Sequence, residues 1–176
     1  GLTARQSTAV QIYAGSSGCS GVLLRQNQVL TAAHCVSDDS NNPINVATVT
    51  VCHYESGDCR TASDIDFSNS YGGGSGDGGG TDFGDDWAII ELSGSWSDTV
   101  EDMDLSSASD STISNLDNLK NLSFPGYGHS CSYEGISTLY YNKENEPVAS
   151  ISTKKLKMKL DTSPGQSGSP IYYCPT

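Results

Sequence analysis

The most apolar run in this chain, WAIIEL at residues 87–92, is only six residues long. The other apolar stretches are also short, and 19 glycines with many Ser, Thr, Asn and Asp residues separate them. A helix that buries a face needs about 10–12 residues of 3.6-residue periodicity. Short runs between turn formers instead predict an all-β protein. At 176 residues and 35% apolar content the chain can still bury a real core.

Candidate strands follow from apolar runs and alternation. In the first half they are residues 8–13, 20–24, 28–32, 46–52 and 87–92. In the second half they are 119–124, 138–141, 148–153, 155–160 and 170–173. KLKMKL, 155–160, alternates strictly and puts Lys155, Lys157 and Lys159 on one face. A solvated strand face is the expectation, and a basic surface that attracts acidic substrates is the alternative. Residues 101–118 are polar and acidic and read as a connection between residues 1–100 and residues 119–176. YGGGSGDGGGTDFGDD, 71–86, is half glycine and reads as a surface loop. Its aspartates offer calcium ligands as a second reading.

Net charge is −12, which disfavours a nucleic-acid partner because phosphates demand a basic surface. No apolar run approaches the roughly 20 residues of a membrane span. No signal peptide opens the chain, which fits a mature or a cytosolic form. Six cysteines without a CxxC pair argue against a zinc site and for disulfides in an oxidising compartment, hence secretion. Asn121 heads the only glycosylation sequon. No cofactor or metal is expected.

Three segments carry the chemistry: LTAAHC at 30–35, DWAII at 86–90 and GQSGSP at 165–170. Their order and residue types resemble the signature segments of chymotrypsin-like serine proteases. The resemblance runs from about residue 8 to residue 174. It implies two six-stranded antiparallel β-barrels, with residues 1–100 carrying His and Asp and a partial second barrel, 119–176, carrying Ser. It also implies a triad. A serine hydroxyl is a weak nucleophile and needs an adjacent base. His34 is the expected base for Ser167, and Asp86, directly before the apolar strand, is expected to fix the imidazole in preference to Asp85. The backbone N–H groups of Gly165 and Ser167 form the expected oxyanion hole. Polypeptides are the implied substrates.

The cysteine spacing between Cys19 and Cys35 matches the family's disulfide beside the catalytic histidine. Cys52 and Cys59 are expected to close a local loop, which leaves Cys131 with Cys174, although the sequence alone leaves other pairings open. His53 and His129 have no Asp or Ser partner in a matching motif, and each reads as a surface or core histidine.

Gln166 stands where trypsin and its close relatives carry the aspartate of their activation switch. DTxxGQSGSP and FPGYG, 124–128, resemble instead the glutamyl endopeptidase branch that contains staphylococcal V8 protease. That resemblance implies cleavage after Glu, less readily after Asp. Thr162 is then the expected hydroxyl donor to the substrate carboxylate. Asp161 supports a trypsin-like alternative for Lys or Arg. Relatives continue for roughly two strands more, so a C-terminal fragment of the same precursor is expected to complete the second barrel. An inactive protease-fold binding protein and an esterase on the same triad are the rival readings.

Overall fold

The computed structural model describes residues 8–53, 56–68, 70–72, 83–94, 96, 105, 107–115, 119–123, 140–141, 148–152, 155–158 and 165–173. The first half of the chain forms a closed barrel of six antiparallel strands. These are β1 (Ala9–Ala14), β2 (Ser17–Arg25), β3 (Gln28–Thr31), β4 (Val49–His53), β5 (Cys59–Phe67) and β6 (Ala88–Leu92). Their order around the barrel is β1-β2-β3-β6-β5-β4, and pairing of β1 with β4 closes it. Closure leaves no unpaired edge on this sheet.

The core follows from alternation. Val10 and Ile12 of β1, Val49 and Val51 of β4, Leu23, Val29 and Ile90 are fully buried. Fully burying one such side chain contributes about 1.5–3 kcal/mol. Trp96 seals one part of this core at 6% exposure. Two disulfides reinforce the barrel. Cys52–Cys59 joins directly opposed residues of β4 and β5. Cys19–Cys35 joins β2 to the turn after β3. Cys131 and Cys174 lie outside the described residues.

Sequence and structure differ most at β5, which the apolar pattern does not predict. Only Ala62 and Ile65 of its nine residues are buried. They are three apart because the register shifts between Ala62 and Asp64. A bulge inserts one residue and reverses the inward phase, so period-two alternation disappears. The expected strand at 46–52 is also shorter. Val46–Thr48 forms a 3₁₀ turn, capped by Asn45 through its side-chain oxygen and the Ala47 N–H, and the strand starts at Val49.

The second half contributes β7 (Leu119–Ser123), β8 (Tyr140–Tyr141), β9 (Val148–Ser152), β10 (Lys155–Met158) and β11 (Ile171–Tyr173). They form a three-stranded sheet, β11-β7-β8, and a β9-β10 hairpin. Each coincides with an expected strand. A closed second barrel is not seen among the described residues, and nothing in these sheets supports a separate fragment completing one. On β10, Leu156 and Met158 are half-buried, as the KLKM alternation requires. The connecting segment includes one short helix, Asp110–Ile113, whose N-terminus is capped by Ser109 Oγ accepting the Thr112 N–H.

Candidate active site

Antiparallel pairing of β3 with β6 sets Thr31 opposite Ala88. The chain just after Thr31 and the chain just before Ala88 therefore leave the sheet at the same end. His34 lies three residues beyond Thr31, in a single 3₁₀ turn, Ala33–Cys35. Asp86 lies two residues before Ala88. The register thus delivers the two side chains to one place. His34 Nδ1 is 2.7 Å from Asp86 Oδ2, and the His34 backbone N–H donates to Asp86 Oδ1 at 2.9 Å. Both carboxylate oxygens are engaged by one residue, which fixes the ring's direction. The Cys19–Cys35 disulfide anchors the same turn to β2.

The pair is partly shielded, with the His34 side chain 29% and the Asp86 side chain 17% exposed. Burial of Asp86 opposes its ionisation. The hydrogen bonds from the His34 ring and backbone, the His34 charge and the Ala33 N–H outweigh that cost and hold its carboxyl below the usual carboxylate range. Asp85 serves elsewhere: its carboxylate accepts from Ser68 Oγ at 3.2 Å.

The turn bearing Ser167 packs onto the first barrel. Ser167 carbonyl oxygen accepts from Ser20 N–H at 2.9 Å. Gly165 carbonyl oxygen accepts from Ser20 Oγ at 2.9 Å. Gly165 has φ +95° and Gly168 φ +79°, backbone angles that L side chains rarely adopt. A Cβ on Gly168 would collide with Thr31 Oγ1 and Ser20 O, and would stand 2.9 Å from Ala32 N. The residue after Ser167 therefore touches the segment that leads into His34. Thr162 and Asp161 lie outside the described residues, as does His129. The glycine-rich loop is described only at Tyr71, Gly72 and residues 83–86.

Ser20, 1% exposed on β2, is a residue that motif reading does not single out. Its sequence signal is no more than a small polar residue just ahead of the apolar run at residues 22–24. His53 is also buried, with Nδ1 3.1 Å from Ser56 Oγ and its ring 5.6 Å from Trp96. Cys19, His34 and Cys35 place potential metal-ligand atoms within 4.8 Å of one another. The two sulfurs are bonded to each other, however, and have no thiolate to offer a metal.

The model of the trypsin family matches residues 3–173, and the chain belongs to that family. Membership points to a serine protease hydrolase. A Glu endopeptidase structure is 19% identical with a TM-score of 0.72, covering 96% of this chain and 74% of its own. Neuropsin, a serine protease of mouse brain, is 18% identical with a TM-score of 0.68, covering 97% and 78%. An inactivated protease paralogue from the scabies mite is 17% identical with a TM-score of 0.65, covering 96% and 77%. At these identities the likeness is one of fold. No curated protein sequence matches the chain. Among the described residues no helix is long and apolar enough to cross a membrane.

Proposed function

We propose that this chain is a secreted serine endopeptidase that cleaves after Glu, and less readily after Asp, through an acyl-enzyme on Ser167. The observation that carries the proposal is the bidentate His34–Asp86 pair with the Ser167 turn packed against the same ledge of the barrel. An Asp86 carboxylate accepting from Nδ1–H leaves Nε2 of His34 as the basic nitrogen. Nε2 removes the Ser167 hydroxyl proton as Oγ attacks the substrate carbonyl. The N–H groups of Gly165 and Ser167 stabilise the resulting oxyanion. His34 returns the proton to the leaving amine, and water then releases the acyl group by the same route. Two disulfides on the barrel suit an extracellular setting.

Thr162 is proposed as the donor to the substrate's Glu carboxylate, in line with the Glu endopeptidase among the structural neighbours. Asp161 is the basis of the trypsin-like alternative. The scabies mite neighbour keeps the fold under the name of an inactivated protease, which favours a second reading as an inactive binding protein. A fluorophosphonate probe separates these classes. A single adduct mapped to Ser167, lost in Ser167→Ala, is expected. Peptide p-nitroanilides with Glu, Asp, Lys or Arg before the scissile bond then rank specificity, with Glu expected first. Absence of both adduct and turnover in folded protein would leave only the inactive reading.

A further inference from the structure

We infer that Ser20 is a positioning residue for the oxyanion hole, one that holds the nucleophile turn in its working shape from β2 of the first barrel. The inference rests on the protease reading above and adds a residue to it. Three successive carbonyls of the turn have donors. Gly165 O takes Ser20 Oγ–H at 2.9 Å, Gln166 O takes the Ser169 N–H at 3.0 Å, and Ser167 O takes the Ser20 N–H at 2.9 Å. Ser20 thus grips the turn twice, with backbone and side chain, on either side of Gln166. Its own carbonyl is held by Thr31 Oγ1 at 2.8 Å, so the grip is itself braced by β3.

The two proposed oxyanion donors, the N–H groups of Gly165 and Ser167, flank the Gly165–Gln166 peptide. A hydrogen bond to the carbonyl of that peptide fixes its plane. Glycine permits rotation that a side chain would forbid, and Gly165 already sits at φ +95°. Without the Ser20 hydroxyl, a buried carbonyl next to a glycine loses its donor, and rotation of the peptide is the available relief. The donors then lose their common aim at one oxygen. A misaimed donor acts only when charge develops, so the loss belongs to the transition state and not to substrate binding.

The test is Ser20→Ala, which keeps the backbone N–H bond to Ser167 O, and Ser20→Cys, which keeps the volume with a poor donor. Both are assayed on the best p-nitroanilide of the panel above. The expected result is a fall in kcat of about 10- to 100-fold, below the full loss of one oxyanion donor. KM stays within about twofold, as loss of a transition-state interaction requires. Affinity for a peptide boronic acid, whose tetrahedral adduct fills the oxyanion site, falls in parallel. The His34–Asp86 hydrogen bond, followed by the Nδ1 proton resonance in NMR, stays intact. Unchanged kcat in either folded variant overturns the inference, as does a loss confined to KM. Failure of both variants to fold also overturns it, because the hydroxyl would then support the barrel and not the turn. Wild-type protein without turnover or Ser167 labelling would instead sink the protease reading itself.

Discussion

At the scale of single residues, Asp86 does two separable things. It orients His34, and it ionises more readily in the folded protein than in the unfolded chain. Its share of stability is therefore complete above the ordinary carboxylate range and is lost as pH falls through its lowered folded value. Asp86→Asn is expected to flatten the acid limb of a stability-versus-pH curve, measured by urea unfolding. The same substitution is expected to lower kcat by about 10⁴-fold by favouring the wrong tautomer. Gly168→Ala meets both a positive φ and a collision with Thr31 Oγ1 and Ser20 O. A destabilisation of at least about 1 kcal/mol is expected, with loss of activity as the turn shifts. His34, Asp86 and Ser167 stand out in the sequence because few residue types could perform the proposed chemistry. Asp86 is hydrogen-bonded to the His34 ring, and Asp85 to Ser68. Ser20 was not legible, because its bond spans 145 positions and a buried serine resembles any other small strand residue.

At the scale of elements, the two disulfides divide the labour. Cys52–Cys59 clips adjacent strands over a separation of 7 residues, away from the His34 turn. Replacing both with serine is expected to cost about 2–3 kcal/mol in denaturant unfolding and to leave kcat unchanged. Cys19–Cys35 spans 16 residues and secures the turn that carries His34. Its removal is expected to cost about 3 kcal/mol and, unlike the first, to reduce kcat as well. The strands with inward alternation were readable: β1, β4 and β6 each place apolar residues at every second position. β5 was not, since its bulge breaks the phase and most of its side chains face solvent. The 3₁₀ turn at Ala33–Cys35 was equally silent, as three residues are too few for any period to register.

At the scale of the whole molecule, the chain carries a net charge of −12 while the proposed substrate residue is an anion. Their long-range repulsion slows encounter, and salt screens it. Raising ionic strength from about 0.01 M to about 0.15 M shortens the Debye length from about 30 Å to about 8 Å. The expected outcome is a rise in kcat/KM for Glu peptides, by up to about tenfold, and a fall for Lys peptides if those are cut at all. The short strands of the first barrel were mostly legible from local patterns, whereas its closure was expected from the family resemblance alone. Pairing of β1 with β4 depends on contacts far apart in the chain, which local patterns do not encode. The split of the site between distant segments has a consequence for biosynthesis. A ribosome delivers His34 and Asp86 long before Gly165 and Ser167, and the ledge at Ser20 waits until nearly all of these 176 residues are made. The growing chain thus carries the proposed base without the proposed nucleophile, and stalled nascent chains that end before Gly165 are expected to take up no fluorophosphonate at all.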